Sequence, residues 1–388
     1  MRNSFVKKTI ALAALASASP LLFAQATGTS SVQLYGIVDV GIRHTNNRGP
    51  VGDAGRDSLT EAIGGGMSQS RWGINVTEDM GGGLKALVNL ENRFTADNGA
   101  AVNPYFQQSW VGLQGGFGRV SLGRQYNMLF DLVTSTYASF PYSPYMEAYK
   151  PELGMAMGAR ASNMVKYMAE VGPWRAALQY SFDENNTVEP GTPAANVPNI
   201  IGGATKTAGG YVRYSDAGLS AGAGFVRTTL PGGTEVDAWT LGGSYRTGPW
   251  YFNLGYGLNK RDSYTGNAVQ NAADSALLSA YWVGSSNGGF LPGDANKRQL
   301  AKVGFGYQIT PQLNLGAHYF HAKQSGSIGP SNGKANFYVT ALDYAFSKRT
   351  DAYLAIDHTK VSGGAAMALD ANGARDRTGY TVGLRHRF

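Results

Sequence analysis

Catalysis or metal binding would most readily come from the five histidines, His44, His318, His321, His358 and His386. None of them stands in a metal-ligand spacing such as HExxH. His318 and His321 are three apart, which on a strand sends them to opposite faces. Cysteine is absent, so thiolate nucleophiles, disulfides and cysteine-ligated metals are excluded. The glycine runs at 64–66 and 81–83 lack the lysine and following helix of a phosphate loop and read as turns. No nucleophile, base and orienting group can be assembled. The expectation is therefore no enzyme, no cofactor, no metal and no nucleic-acid partner.

What remains is charge, and it is placed in alternation. In "RTGYTVGLRHRF", Tyr380, Val382, Leu384 and Phe388 fall on one side, and Thr381, Gly383, Arg385 and Arg387 on the other. The same period of two runs through "WRAALQYSFD" (174–183), "WYFNLGYGLN" (250–259), "RQLAKVGFGYQI" (298–309) and "QLNLGAHYF" (312–320). A period of two over about ten residues means strands with unlike faces. Aromatics recur at the segment ends, where the interfacial girdles of a membrane barrel sit. A charge facing lipid near the bilayer middle costs about 2–4 kcal/mol. By parity, Arg71, Lys85, Glu91, Arg93, Lys166, Arg175, Arg213, Lys302, Arg385 and Arg387 face a watery interior.

The connections alternate in length. Seven tight ones, at 78–83, 114–118, 170–174, 215–218, 247–250, 309–312 and 347–351, carry glycine, proline or polar pairs suited to short turns. Eight long ones lie at 45–67, about 95–103, 127–160, 184–206, 229–235, 261–297, 324–334 and 362–376. Fifteen connections join sixteen strands. Short turns at one end and long loops at the other is the asymmetry of an outer-membrane barrel. Unpaired backbone groups cannot be left in hydrocarbon, so the sheet must close, with 31–44 pairing 378–388. A soluble sandwich or propeller would also alternate, but would not segregate its turns this way, and no propeller repeat is present.

Composition agrees. Gly is 53, Tyr 22, Pro 15 and charged residues 15% of the 388-residue chain, which fits neither collagen nor disorder. The first 26 residues have the anatomy of an export signal: Arg2, Lys7 and Lys8, an apolar stretch over 9–23, and Ala24-Gln25-Ala26 as cleavage site. Removal of those three cations takes the formal charge from +7 to about +4. The expected organisation is a signal peptide over 1–26 and one all-β domain over 27–388, a 16-stranded antiparallel transmembrane β-barrel.

Sixteen strands enclose a lumen wide enough for water, and an unobstructed hole would sieve poorly. The segment 127–160 is long and too irregular for a strand, and it carries Asp131, Glu147 and Glu152. It is the candidate to narrow the lumen.

"LYGIVDVG" (34–41), "SRWGINVTEDMGGGLKA" (70–86), "FGRVSLGRQY" (117–126), "YAFSKRT" (344–350) and the terminal "VGLRHRF" together resemble the general diffusion porins of Gram-negative outer membranes, above all the β-proteobacterial branch. The resemblance covers nearly all of the chain after residue 26. It implies that the third long loop folds into the barrel, with "PELG" (151–154) similar to a porin loop signature. It implies a ladder of basic residues on the opposing wall: Arg71, Arg124 and Arg160, with Lys166 added by parity. Arg124 shares parity with Val120 and Leu122, so it reaches the lumen only if the strand bulges at Gly123. The resemblance further implies a homotrimer in contact with outer-membrane lipids and lipopolysaccharide, and a terminal Phe388 read by the barrel-insertion machinery.

The function expected is a water-filled channel in the Gram-negative outer membrane for passive diffusion of small hydrophilic solutes and ions, with weak to moderate anion preference. Opposed charges about 8 Å apart interact by roughly 0.5 kcal/mol in water and about 2 kcal/mol at an effective dielectric of 20. Such a transverse field favours polar solutes, and the surplus sign biases ion flow. The alternative is a substrate-specific outer-membrane channel for a small anionic or sugar-like solute, with Tyr137, Tyr142, Tyr145 and Tyr149 as an aromatic track. A plugged structural or adhesive barrel is a third class.

Overall fold

The computed structural model describes residues 30–48, 57–138, 159–182, 205–230, 232–264, 271, 274, 296–326, 332–364, 369 and 373–388. The expected signal peptide, Glu147 and Glu152 lie outside the described residues.

In chain order the strands begin with β1 (Ser31–Arg48), β2 (Asp57–Gly64), β3 (Arg71–Gly81), β4 (Leu84–Phe94), β5 (Ala101–Gly115) and β6 (Gly118–Tyr126), followed by helix α1 (Met128–Thr136). Next come β7 (Arg160–Val171), β8 (Trp174–Ser181), β9 (Lys206–Asp216), β10 (Leu219–Thr229), β11 (Glu235–Thr247) and β12 (Trp250–Arg261). The sheet ends with β13 (Lys297–Gln308), β14 (Leu313–Ser325), β15 (Gly333–Ala345), β16 (Thr350–Gly363) and β17 (Asp376–Arg387).

These 17 segments make one antiparallel sheet of sixteen staves. β2 and β3 share a stave: Ser31–Ile37 of β1 pairs with β3, and Val40–Arg48 pairs with β2. The sheet closes where Ile37–Thr45 pairs with Gly379–Arg387 of β17, as the alternation requires. The Phe388 N–H and C=O both bond to Gly36, each at 3.0 Å. Among the described strands no edge of the sheet is left open, which is the condition for crossing hydrocarbon with strands.

Side chains sort by parity as expected. On β17, Tyr380, Val382 and Leu384 are about half exposed on the outer face, whereas Thr381 and Arg385 are buried inside. Aromatic pairs cluster at the short-turn end: Trp174 with Tyr214 (5.1 Å), Trp250 with Tyr307 (4.4 Å) and Tyr344 with Phe346 (5.3 Å). Rings with an apolar body and a polar tip suit that boundary.

Two segments differ from expectation. The loop expected at 45–67 is largely strand, with β1 running to Arg48 and β2 starting at Asp57. Above the bilayer both faces of a strand meet water, so the polar extension has no apolar face to betray it. The loop expected from 127 opens instead with a nine-residue helix.

Candidate functional site: the charged inner wall and the helix inside the barrel

A nine-residue helix is marginal in water on propensity alone, so packing must hold α1. Asn127 caps it, accepting from the Phe130 N–H at 2.9 Å. Met128, Leu129, Phe130, Leu132, Val133 and Thr136 are buried. Their partners are inward-facing positions of the wall, where Tyr211 and Val226 are buried in the same apolar cluster. The wall makes room with small residues. A Cβ on Gly222 would come within 2.6 Å of the Leu132 side chain, and one on Gly242 within 2.7 Å of the Tyr137 ring. The third long connection thus enters the barrel, as expected, over its described part.

The wall also satisfies the backbone groups that a short helix leaves open. The Met128 N–H donates to Gln179 Oε1 at 2.7 Å. At the other end Arg213 Nη1 donates to the Ser135 carbonyl (3.2 Å), Ser244 Oγ to Thr136 (2.5 Å) and Tyr251 Oη to Ala138 (2.7 Å). Tyr137 hydrogen-bonds Thr240 and lies under the Lys302 ammonium, 4.7 Å from the ring centroid. It serves as an anchor of the helix. Tyr142, Tyr145 and Tyr149 lie outside the described residues.

Facing the start of α1 is a cluster of cations. Arg71 and Arg93 sit directly opposite each other on β3 and β4. Like charges so placed repel, and Glu91, two residues along the same face, offsets them. Arg93 Nε is 3.2 Å from Glu91 Oε1, Arg160 Nη2 is 3.7 Å from it, and Arg71 Nη1 is 3.9 Å from Oε2. Tyr35 donates to the same carboxylate at 3.2 Å. Arg93 and Arg160 both donate to Tyr126 Oη, at 2.5 and 2.8 Å, and Tyr126 stacks on Phe130 of α1 with ring centroids 3.9 Å apart. Among the described residues three guanidinium groups therefore converge on the Glu91 carboxylate, and the Tyr126–Phe130 stack ties them to the helix.

The sequence-predicted residues separate into three places. Arg71 and Arg160 meet at Glu91. Lys166 Nζ is 2.5 Å from Asp131 Oδ2, so these two are in contact. That corrects the picture of Asp131 acting on the basic wall from across a wet gap. Helix formation is the reason, since it brings the carboxylate down against β7. Arg124 Nη1 donates to Ser162 Oγ at 2.8 Å. The strand bulges there: the β6–β7 register shifts between Gly123 and Gln125, and Gly123 has φ +124°. Sequence reasoning placed Arg93 and Glu91 inward but missed that they form the centre of the cluster. The structure's β3–β4 register is what sets Arg71 against Arg93.

Arg385 and Arg387 belong to a separate network. Arg385 Nε is 2.9 Å from Asp351, its Nη2 is 3.3 Å from Asp343, and Arg387 Nη1 is 2.5 Å from Asp351. Beside them Asp39 accepts from Met67 N–H (2.9 Å), Ser68 N–H (2.6 Å) and Tyr353 Oη (2.6 Å). This ties the segment between β2 and β3 to the inner wall. Among the described residues no group of three or more His, Cys, Asp or Glu side chains is disposed to hold a metal.

A family model described as Gram-negative porin matches residues 11–364. The chain belongs to this porin family. Over 400 residues the porin is 30% identical to outer membrane porin protein 32 of Delftia acidovorans, covering 98% of this chain and 99% of the relative. It is 28% identical over 431 residues to an outer membrane porin of Bordetella pertussis, with 99% and 100% covered. Among solved structures, an anion-selective porin from Comamonas acidovorans matches with a TM-score of 0.69 at 27% identity, covering 93% of this chain and all of that one. The porin is thus a protein of the Gram-negative outer membrane, and the comparisons point to a family of channels, not of enzymes.

Proposed function

We propose that this porin is a water-filled channel through which small hydrophilic solutes and ions diffuse passively, with a weak to moderate preference for anions. One observation carries the sign of the preference: Arg71, Arg93 and Arg160 converge on Glu91, a gathering of cations beside the helix inside the barrel. The pairing of Asp131 with Lys166 strengthens it, because the described acidic group of the inward loop is already compensated. The Comamonas relative described as anion-selective supports the same reading. An anion entering the constriction meets guanidinium donors fixed by Tyr126 and Gln69. A cation meets the same field with the opposite sign, and apolar solutes lose hydration without gaining contacts.

In this reading the described pore-lining cations are Arg71, Arg124, Arg160 and Lys166, joined by Arg93. Transport needs no covalent step, so the porin works as a channel without catalysis. The 1–26 segment directs export, and Phe388 closes the barrel against Gly36 and serves recognition during insertion. Three barrels associate through the smaller apolar faces of β1 and β4. The test is the zero-current potential in a KCl gradient across planar bilayers. A potential of the anion-selective sign is expected, and a clearly cation-selective one rejects the assignment.

A further inference from the structure

Between β2 and β3 the chain leaves the wall. Ile37 of β1 pairs with Arg71 and Val40 pairs with Gly64, so two residues of β1, Val38 and Asp39, face the six residues 65–70 of the neighbouring stave. Surplus residues in one strand must bulge, and bulges beside functional sites re-aim side chains. Here the surplus goes inward. Gly66, Met67, Ser68 and Ser70 are buried. Their partners Asp39, Tyr353 and Arg385 are buried on the inner face of β1, β16 and β17.

Asp39 holds both ends of this excursion. Its N–H donates to Ser70 Oγ at 3.0 Å, and its carbonyl accepts from the Gly65 N–H at 2.9 Å. Its carboxylate takes the Met67 and Ser68 N–H groups in between. Arg385 Nη1 donates to Ser68 Oγ at 2.8 Å. A Cβ on Gly66 would collide with the Tyr353 hydroxyl, so glycine is what lets the backbone lie this close. Asp39 is fully buried, and a buried carboxylate is tolerable only when donors converge on it.

Gln69 differs from its buried neighbours in staying partly exposed. Its Oε1 accepts from Arg93 Nη1 at 2.5 Å, and its backbone carbonyl accepts from Arg71 Nε at 3.1 Å. Arg93 is therefore held from two directions, by Gln69 and by Tyr126, which is stacked on α1. Helix α1 packs on β8 to β11, about half of the ring away from β1.

We propose that residues 65–70 form a second constriction element, entering the lumen from the wall opposite α1, with Gln69 as its tip and Asp39 as its clamp. The proposal rests on the anion-preferring reading above and deepens it. Gln69 and Asp39 are positioning residues that act on ions through Arg71 and Arg93. A guanidinium on a long stem has many rotamers, and ordering it needs partners that are themselves locked in place. Gln69 is such a partner, because Asp39 fixes the backbone that carries it. Without the Gln69 acceptor, Arg93 closes further on Glu91, and the charge offered to the lumen is neutralised more completely.

Gln69→Met tests this without changing any charge, since it keeps the length and removes the acceptor. The anion-to-cation permeability ratio, read from zero-current potentials in a KCl gradient, should fall about twofold or more. Asp39→Asn removes a negative charge, which alone would raise the ratio; loosening of the clamp should lower it instead. The chain has no cysteine, so Gln69→Cys supplies a single thiol for an anionic methanethiosulfonate. Labelling the folded channel should cut single-channel conductance in a discrete step and lower the ratio further. An unchanged ratio in Gln69→Met, a raised ratio in folded Asp39→Asn, or complete labelling by mass spectrometry without a change in conductance each overturns the proposal. Labelling acts on a barrel that has already folded, so a folding defect does not imitate its effect. A wild-type potential of the cation-selective sign rejects the anion preference itself, and is read separately from the differences between variants.

Discussion

Replacing Glu91 with Gln tests the electrostatics of the constriction most directly. The substitution keeps shape and volume but removes the carboxylate that holds Arg71, Arg93 and Arg160 at 3.9, 3.2 and 3.7 Å. The local charge rises by one. For a chloride about 7 Å from the change, the gain is roughly 0.6 kcal/mol at the dielectric of water and about 2.4 kcal/mol at an effective dielectric of 20. Screening at 0.1 M salt, with a Debye length of about 10 Å, cuts these by roughly half. A cation at the same place loses what the chloride gains, so the anion-to-cation permeability ratio should rise between about threefold and about sixtyfold. Arg71→Gln should move it the other way by a comparable factor. The assay is the zero-current potential across planar bilayers in a tenfold KCl gradient. There is also a cost, since removing one partner of a buried ion cluster destabilises by about 3–5 kcal/mol where the group is fully enclosed, and Arg71 retains some solvent. Heat modifiability on gels shows whether the barrel still folds. A folded Glu91→Gln channel with unchanged or more cation-selective potential would refute the assignment of these arginines to the ion path.

Three further outcomes follow from the packing. Gly222→Leu puts side-chain atoms where Leu132 now sits, so α1 should leave the wall and single-channel conductance should change measurably while the barrel stays folded. Lys166→Met leaves Asp131 without its 2.5 Å partner, and should shift selectivity towards cations and increase open-channel current noise as α1 loosens. Asp39→Asn weakens three hydrogen bonds that hold the β2–β3 segment inside, and should lower the temperature of heat modification, with a cost of about 1–3 kcal/mol for groups left unsatisfied.

The barrel was legible in the sequence because each spanning stave meets hydrocarbon on one face and water on the other, which imprints a period of two. The seven tight turns followed from their glycines, prolines and polar pairs, the closing pair from the need to leave no backbone edge in hydrocarbon, and the inward direction of Glu91, Arg93, Lys166 and Arg385 from parity. What was not legible lies where that asymmetry fails. The upper parts of β1 and β2 stand in water on both faces and read as loop. Helix α1 has water-accessible groups on one side and a strand wall on the other, and nine residues are too few to separate its period from an irregular run. The convergence on Glu91 needed the exact register of β3 with β4, which one sequence does not fix. The contact between Asp131 and Lys166 depended on a helix that had not been foreseen. Arg124 was the informative exception: its parity was wrong for the lumen, and the strand bulges at Gly123, where the expectation required it.

The pairing of β1 with β17 also sets an order of events. Arg43 donates to Thr381, 338 positions away, so one flank of β1 has no native partner until almost the whole domain has been delivered. During that interval an exposed row of amides and carbonyls is a template for the wrong strand, from this chain or another. Biogenesis must therefore shelter the leading stave while the others arrive, and ring closure is a late step, which makes the seam between these two staves the place where assembly succeeds or stalls.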